Sequence, residues 1–544
     1  MRRPLLIPLL MLFLCPAALL AQAPVFDRQD TLRGSITPER AWWKLRYYHL
    51  EVAVDPGDSS LSGVNHIRYE VLDAPREMQI DLQAPMRIDR VAQAGKDLKF
   101  RQDGHAWFVE MPQLRSGEIH EVAVHFSGRP TVAARPPWDG GVSWDKDEDG
   151  NDWIVTTCQG DGASLWWPCK DHLYEEPDSM LISVTVPEQL IDVSNGRLRG
   201  VDTHGNGTKT WHWFVSKPIS NYVVNLNIGN YVHFSETYAG EKGILDCDYY
   251  VLPYNLEKAK KQFREVPRML QAFEHWFGPY PFYEDGYKLV DVPYPGMEHQ
   301  SSVTYGNYYR NGYRDRDLSY TGLGLEFDFI IVHESGHEWF ANNITYKDIA
   351  DMWIHESFTA YSENLFVDYH FGKAAAGRYV RGTRANITHT RPVQGIYNVN
   401  YSGSGDMYPK GANMLHTLRQ LIDDDEKWRG ILRGMNAEFA YQTVTGAQIE
   451  GYLSQHSGLE LGAFFDQYLR DVRVPVLEYD FRGEVLFYRW SNCVPGFAMP
   501  VKVRLGEGET WLHPSRQWKE LPVPQNRQSL DLDPNFYIAL MKYH

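Results

Sequence analysis

The residues of this chain best suited to chemistry are two histidines and two glutamates. His333 and His337 are four residues apart, so on a helix both imidazoles project from one face and can reach one metal ion. Glu334 is placed to hold a water molecule, and Glu356 follows with a second carboxylate. Two imidazoles, one carboxylate and a fourth position left to water are typical of catalytic zinc. The sequence therefore predicts one zinc ion (Zn2+) per chain, bound by His333, His337 and Glu356.

Two proline-free stretches have to position these residues. EFDFIIVHESGHEWFANNI, from Glu326 to Ile344, is rich in apolar residues and predicts a helix. Gly336 lowers its helix propensity by about 1 kcal/mol relative to alanine. HESFTAYSENLFVDYHF, from His355, predicts a second helix with Glu356 near its first turn. No cysteine lies nearby in the sequence, which argues against a structural zinc site built on thiolates.

The strings around these residues resemble the aminopeptidase N family of zinc metallopeptidases, the gluzincins that include the leukotriene hydrolases. HEWFANNIT begins at His337, and DMWIHESFTAY surrounds Glu356. The family pattern is His-Glu-x-x-His, eighteen residues and then Glu, and this chain matches it. The resemblance implies a thermolysin-like catalytic domain in which Glu334 is the general base that takes a proton from the attacking water.

A segment upstream resembles the family's Gly-x-Met-Glu-Asn motif. It is PYPGMEHQ at 293–300, so Gly296, Met297 and Glu298 are implied to bind substrate, with Glu298 holding its free amino terminus. Pro295 replaces the usual first glycine and His299 the usual asparagine. A histidine there would add a titrating group near the pocket and would steepen the loss of activity at low pH.

Two further segments follow the family pattern. YPKGANMLHTL, from Tyr408, resembles its Tyr-x-Lys-Gly helix start, which implies that Tyr408 stabilises the oxyanion of the transition state. TTCQGDGASLWWPCKD at 156–171 resembles the loop that contributes a glutamine or glutamate to the amino-terminus pocket. Gln159 takes that position, although Ala163 and Ser164 stand where the loop's usual arginine would be.

The resemblance implies a zinc-dependent aminopeptidase that releases N-terminal residues from peptides with a free amino terminus. Three alternatives stay open: a non-catalytic scaffold on the same architecture, a leukotriene-type epoxide hydrolase with aminopeptidase side activity, and an endopeptidase. A scaffold would be expected to lose the zinc ligands or the base, and this chain keeps all of them. The sequence indicates no oligomeric state.

The beginning of the chain has the pattern of an export signal. Arg2 and Arg3 precede an apolar run, and small residues follow up to Ala23. This predicts a secretory signal peptide at 1–23 and a periplasmic or secreted protein. No later stretch is long and apolar enough to span a bilayer, so we expect no stable membrane insertion.

Charge and cysteine content narrow the classes of partner and fold. The formal net charge is −16, or −18 without Arg2 and Arg3, and no basic run is present, so we expect no nucleic-acid partner. Four of the five cysteines follow the signal, too few for a disulfide scaffold in a chain of 544 residues. Cys158 and Cys169 are close in sequence, and a bridge between them is left open.

DKDEDGND at 145–152 resembles the first half of a calcium loop. Asp145, Asp147 and Asp149 precede Gly150, but Thr156 stands where the bidentate glutamate should be. A calcium ion (Ca2+) at these three aspartates and a solvated hairpin tip are both compatible with the pattern.

Hydrophobic periodicity divides the chain into three parts. Short β-type runs separated by Gly, Pro and Asp predict an antiparallel β domain at 24–248. Helical spacing dominates 249–472, the predicted thermolysin-like zinc domain, and alternation returns at 473–544, a predicted small β-sandwich. The fold class is therefore multidomain α+β, as expected for a length that exceeds one hydrophobic core.

Overall fold

The computed structural model describes residues 24–525 and 528–543, so the predicted signal peptide at 1–23 lies outside the described residues. The described chain begins with β-sheets, continues into a mainly helical middle and ends in short strands. This is the multidomain α+β architecture that the sequence predicts.

The N-terminal part is built from sheets preceded by two short helices. Its elements are α1 (Arg28–Gly34), α2 (Pro38–Ala41), β1 (Trp43–Asp55), β2 (Ser60–Val71), β3 (Glu77–Asp81), β4 (Arg87–Gln93), β5 (Lys96–Leu98), β6 (Phe100–Asp103), β7 (Ala106–Glu110), β8 (Ile119–Gly128), β9 (Gly141–Lys146), β10 (Asp152–Thr157), β11 (Ser179–Pro187), β12 (Ile191–Val193), β13 (Arg197–His204), β14 (Thr208–Val215) and β15 (Asn227–Gly229). The largest sheet has eight strands in the order β13-β14-β11-β1-β2-β8-β4-β5. Most of its neighbours are antiparallel, but β1 and β11 run parallel.

Strands also underlie the helical part. β16 (Val232–Gly240), β17 (Gly243–Val251), β18 (Tyr287–Asp291), β19 (Gly296–Met297) and β20 (Val303–Tyr305) form a five-stranded sheet in the order β16-β17-β18-β20-β19. Residue 248, the predicted end of the N-terminal domain, lies inside β17, which pairs with β18. The sheet that supports the site therefore begins before the predicted boundary, at Val232.

The helices that follow carry most of the candidate site. They are α3 (Leu256–Gln262), α4 (Glu265–Phe277), α5 (Phe329–Gly336), α6 (Trp353–Phe371), α7 (Lys373–Gly382), α8 (Pro409–Ile422), α9 (Asp425–Glu438), α10 (Gly446–Ser457) and α11 (Gly462–Phe465), with β21 (Ile344–Tyr346) and β22 (Gln442–Val444) pairing between them. α6 is buried along most of its length and contacts α4, α5, α7 and α8. It is therefore the central helix of this part.

The C-terminal strands pack against these helices. They are β23 (Val476–Arg482), β24 (Val485–Ser491), β25 (Val501–Leu505), β26 (Gly508–Leu512), β27 (Lys519–Pro522), β28 (Leu530–Leu532) and β29 (Ala539–Lys542), arranged in a four-stranded and a three-stranded sheet. Their buried side chains share one hydrophobic core with the helical part, whereas the N-terminal sheets have a core of their own. Among the helices of the described residues, none is both long and apolar enough to cross a membrane.

Candidate active site

The first histidine pair lies at the end of a short, capped helix. Asp328 caps α5, because its carboxylate accepts hydrogen bonds from the N–H groups of Ile330 and Ile331 at 3.1 and 3.3 Å. His333 is in the last turn, and His337 directly follows Gly336, the final helical residue. Both histidines are buried.

The predicted helix from Glu326 to Ile344 is wrong beyond Gly336. A wide π-type turn follows, and the backbone leaves helical geometry at Phe340 and Ala341. Because the backbone is not helical there, the Phe340 carbonyl can face His337, and its oxygen lies 3.1 Å from His337 Nδ1. The unwound turn thus orients a candidate ligand.

The close contact between α5 and α6 explains the glycine within the motif. A Cβ added at Gly336 would lie 2.5 Å from the Ser362 Oγ, a distance that real Cβ atoms do not show. Glycine therefore lets α5 approach α6, the helix whose first turn carries Glu356. Gly336 lowers the helix propensity of the isolated segment, but in the folded chain it allows the candidate zinc ligands on α5 and α6 to lie close together.

Glu356 completes a cluster of three ligand atoms. Its Oε2 lies 3.8 Å from His333 Nε2 and 3.5 Å from His337 Nε2, and it is buried without a hydrogen-bond partner in the part of the chain that the structure describes. Ligand atoms at the corners of a tetrahedron with zinc bonds of about 2.0–2.2 Å lie roughly 3.4 Å apart. The unpartnered carboxylate oxygen and the two imidazoles therefore fit a zinc ion held between them.

Hydrogen-bond partners at the Nδ1 atom of each histidine orient the two rings so that both Nε2 atoms face Glu356. His333 Nδ1 lies 2.7 Å from Glu363 Oε1, so the ring donates to this carboxylate. His337 Nδ1 lies 3.1 Å from both the Phe340 oxygen and the Thr359 Oγ1. Burial lowers the pKa of His333 to about 4, which keeps its imidazole neutral. Glu363 is thus the carboxylate that orients the His333 ring.

Glu334 lies beside the ligands as the sequence predicts. One of its carboxylate oxygens is within 4.8 Å of a ring nitrogen of His333 and of His337. Burial, reinforced by the neighbouring carboxylates of Glu298 and Glu356, raises the pKa of Glu334 well above its ordinary value. Gly296 packs against it, since a Cβ at that position would lie 3.0 Å from the Glu334 Cγ. Such a carboxylate is suited to accept a proton.

The predicted amino-terminus pocket is assembled from three distant segments. The Gln159 side-chain nitrogen donates to Glu298 Oε1 at 2.6 Å and to Glu356 Oε1 at 2.8 Å. Asn342 donates to the main-chain oxygen of Glu298 at 3.0 Å. Gly296 and Met297 form β19 at the wall of the same cleft. Gln159, whose assignment rests on a partial motif, is thus in direct contact with Glu298.

His299 does not have the environment that a pH sensor needs. Its ring is fully buried, Nδ1 lies 3.3 Å from the Thr304 Oγ1, and Nε2 has no partner among the described residues. Burial lowers the pKa of His299 to about 3, so the ring stays neutral across the working range of most enzymes. The expectation that His299 steepens the loss of activity at low pH is therefore not supported.

Tyr408 stands at the start of α8, as the Tyr-x-Lys-Gly pattern predicts. Its ring stacks on His333 with centroids 6.0 Å apart, and Lys410 donates from Nζ to the Asp471 carbonyl at 2.5 Å. Burial and the nearby Glu356 carboxylate raise the pKa of the Tyr408 phenol well above its ordinary value. The phenol therefore keeps its proton and can donate it in a hydrogen bond.

These residues line a cleft of about 340 Å³. Its other walls are mainly apolar or aromatic: Pro137, Trp138, Tyr313, Leu318, Phe329, Ile330, Ala360, Tyr379, Val380 and Ala412. Trp138 is 67% exposed, at the rim, and no sequence motif pointed to it. The cleft therefore joins the predicted metal ligands to the predicted amino-terminus pocket.

The calcium expectation is not supported. Among the described residues, metal-sized groups of His, Cys, Asp or Glu occur around His333 and His337, not at Asp145, Asp147 and Asp149. The Asp147 carboxylate instead accepts hydrogen bonds from within its own hairpin tip, at 2.8 Å from the Asn151 amide. The solvated-hairpin interpretation of this segment accounts for these contacts.

The four described cysteines are buried and unbridged. Cys158 and Cys169, the pair whose bridge the sequence left open, are both free thiols. They pack in the core of the N-terminal sheets. Their role in the structure is apolar packing.

Comparison with known proteins finds similarity to zinc metallopeptidases in sequence and in fold. The peptidase family M1 domain matches residues 261–468. Tricorn protease-interacting factor F2 of Thermoplasma volcanium is 24% identical over 61% of this chain and 42% of its own length, and aminopeptidase B of Mus musculus is 24% identical over 61% and 49%. The chain thus spans about half or less of these relatives. An M1 zinc metallopeptidase from Deinococcus radiodurans has a similar fold, with a TM-score of 0.64 and 22% identity over 79% of this chain and 93% of that one.

Proposed function

Since this chain belongs to the aminopeptidase N family of zinc metallopeptidases, with its M1 domain at 261–468, we propose that it is a zinc-dependent aminopeptidase that releases N-terminal residues from peptides. The observation that carries the proposal is the buried Glu356 Oε2, which no donor of residues 24–525 and 528–543 reaches. It lies beside two imidazole nitrogens and next to a second carboxylate, Glu298, in the same cleft. A metal site adjacent to a carboxylate suits a substrate whose ammonium group lies next to its first peptide bond.

His333, His337 and Glu356 would hold the zinc ion. When bound there, zinc supplies a Lewis acid that polarises the scissile carbonyl and acidifies water. Glu298 binds the α-ammonium of the substrate and so places the first peptide bond in the cleft. Gln159 supports Glu298 by donating to its Oε1.

Proton transfer falls to Glu334. Its raised pKa makes it a stronger base than an exposed glutamate, so a carboxylate oxygen takes the proton of the attacking water and passes it to the departing amine. The Tyr408 phenol donates a hydrogen bond to the oxyanion, a contribution on the order of 3 kcal/mol in comparable sites. The complete set of ligands, base and donor favours an enzyme over a non-catalytic scaffold.

The proposal is tested with aminoacyl fluorogenic amides and with peptide pairs that differ only in N-terminal acetylation. We expect the protein to hydrolyse the free-amino substrates, to lose this activity with a zinc chelator and to ignore the acetylated peptides. A blocked terminus leaves Glu298 desolvated and unpaired, at a cost of roughly 1–3 kcal/mol or more. Efficient internal cleavage of acetylated peptides would favour an endopeptidase instead.

Export is also proposed, on the pattern of residues 1–23. A charged start, an apolar run and small residues at the end are typical of secretory signal peptides. N-terminal sequencing of the protein recovered outside the cytoplasm should begin close to Pro24. A protein that retains Met1 and stays in the cytoplasm would contradict this proposal.

A further inference from the structure

Glu298 stands at the end of a chain of hydrogen bonds that begins on a backbone amide. The Tyr346 N–H donates to His355 Nε2 at 3.1 Å, and His355 Nδ1 lies 3.5 Å from the Tyr222 hydroxyl oxygen. That hydroxyl lies 3.1 Å from Glu298 Oε1. Tyr222, His355 and Glu298 are all buried, so water does not compete for these bonds.

The direction of each bond follows from its partners. Because His355 Nε2 accepts from a backbone N–H, the ring carries its proton on Nδ1 and donates from there to Tyr222. A carboxylate only accepts, so the Tyr222 hydroxyl donates to Glu298. In this series of three hydrogen bonds, each donor therefore points along the series toward Glu298.

These bonds leave one oxygen of Glu298 for a ligand. Oε1 accepts from Tyr222 and from the Gln159 amide at 2.6 Å, whereas no donor among the described residues reaches Oε2. Two donors on one oxygen fix the rotation of the carboxylate group about its last bond. An ammonium ion, which has three N–H donors, then meets an oxygen whose position is set in advance.

We propose that Tyr222, oriented by His355, is a positioning residue that holds Glu298 for the ammonium group of the substrate. This inference rests on the proposed aminopeptidase function and deepens it, because it assigns the orientation of Glu298 to Tyr222, which lies outside the family motifs quoted above, and to His355, whose role no motif gave. Tyr222 lies 76 residues from Glu298 in the sequence, in a short 3-10 helix (Asn221–Val223) before β15.

A purely structural role for Tyr222 predicts a different result. If its hydroxyl only satisfied buried polar atoms, its removal would lower stability and weaken all ligands equally. A positioning role predicts a loss confined to ligands that carry an ammonium group. The two roles are separated by ligands that differ in this group alone.

The test compares L-leucine hydroxamate with 4-methylpentanohydroxamate, which lacks only the amino group, as inhibitors of the zinc-loaded full chain. For Tyr222→Phe we expect the inhibition constant of the amino compound to rise about tenfold, since a hydrogen bond to a charged group is lost. The constant of the compound without the amino group should not change. Zinc content should match that of the unaltered protein.

Two further variants control the comparison. Tyr294→Phe removes another buried hydroxyl, one that lies 3.2 Å from both the Thr156 carbonyl and the Thr304 hydroxyl and makes no hydrogen bond to Glu298 among the described residues, and it should leave the ratio of the two constants unchanged. In a Glu298→Gln background, Tyr222→Phe should have no further effect on the amino compound, because the two residues act as one unit. An additional tenfold loss in that background would overturn the proposal.

His355 is tested by a matched pair of substitutions. His355→Asn keeps an N–H donor near the Nδ1 position and should retain most of the preference for the amino compound, whereas His355→Leu should lose it. Equal effects of Tyr222→Phe on both hydroxamates would overturn the positioning role alone. If the unaltered protein does not distinguish the two hydroxamates at all, the amino-terminus pocket of the proposed function fails, and this inference fails with it.

Discussion

Gly411 on α8 approaches Ser357 on α6 so closely that a Cβ at position 411 would lie 1.9 Å from the Ser357 Oγ. α6 carries Glu356 in its first turn, and α8 begins directly after Tyr408. The contact therefore sets the distance between a predicted zinc ligand and the predicted oxyanion donor. It gives a physical reason for the glycine of the Tyr-x-Lys-Gly pattern.

Gly411→Ala should lower both stability and turnover. The added methyl group meets the Cβ and Oγ of a buried serine, so α8 has to move, at a cost of about 1–3 kcal/mol in the free energy of unfolding. Urea unfolding and kcat for an aminoacyl amide measure the two effects. Ser357→Gly in the same chain should restore part of both losses.

Gly430→Ala is the matched control for this prediction. Gly430 lies within α9, and a Cβ there would meet no atom within 4 Å. Alanine should therefore leave turnover unchanged and stabilise the helix by up to about 1 kcal/mol. Similar losses in Gly411→Ala and Gly430→Ala would show that the α6–α8 contact has no special role.

The clustering of the candidate zinc ligands could be predicted from the sequence because helical periodicity is local. A spacing of four residues places His333 and His337 on one face whatever surrounds them. The end of α5 could not be predicted, because the Phe340 carbonyl leaves the helix to meet His337, a contact that apolar periodicity does not encode. The choice of Glu363 as the partner of His333 likewise depends on how α5 packs on α6.

The contact between Glu298 and Gln159, the proposed amino-terminus pocket, could be predicted only through motifs. Glu298 and Gln159 are 139 residues apart, and only the fold brings them to 2.6 Å. Tyr222 and His355 could not be predicted, because neither a single tyrosine nor a histidine beside a glutamate indicates in the sequence which side chain it will contact. The hydrogen-bond pattern of a folded chain is needed to find them.

The ligand assignment predicts that His337→Ala loses zinc. Removal of one of three protein ligands leaves two, too few to hold the ion tightly. Elemental analysis should find close to one zinc per unaltered chain and well below one in the variant. His370→Ala, at the far end of α6, should keep its zinc. Stoichiometric zinc in His337→Ala would mean that another residue binds the metal.

Glu334→Gln should keep zinc and fold while turnover falls by about 10²–10⁴. The amide has nearly the shape of the carboxylate but cannot accept a proton from water. Zinc content, unfolding temperature and kcat are the measurements.

Glu338→Gln provides the comparison for Glu334→Gln. Glu338 is also buried, but its Oε1 accepts from the Ser301 N–H at 2.8 Å, a bond that an amide oxygen can keep. This variant should therefore retain turnover. Equal losses in the two variants would indicate that any glutamine in this segment disturbs the site, and the assignment of Glu334 as the base would fall.

Tyr408→Phe should lower kcat by about 10²–10³ and change the Michaelis constant little. The phenol's hydrogen bond strengthens as charge develops on the oxyanion, so its loss raises the barrier more than it weakens substrate binding. Steady-state kinetics with one aminoacyl amide separates the two parameters. A rise confined to the Michaelis constant would make Tyr408 part of the pocket wall rather than the oxyanion donor.

His299 should make the protein less stable in acid without shaping its activity profile. The folded-state pKa of His299 is about 3, whereas an unfolded histidine has a pKa of about 6.5. Between these values the unfolded chain binds a proton that the folded chain does not, so the free energy of unfolding falls as pH falls.

His299→Asn removes this pH-dependent contribution to the free energy of unfolding. Relative to the unaltered protein, the variant should gain on the order of 2 kcal/mol between pH 6.5 and pH 4.5 in urea unfolding, at about 1.4 kcal/mol per pH unit. Its activity between pH 5 and pH 8 should decline on the acid side as in the unaltered protein. Parallel stability curves would show that His299 also binds its proton in the folded state.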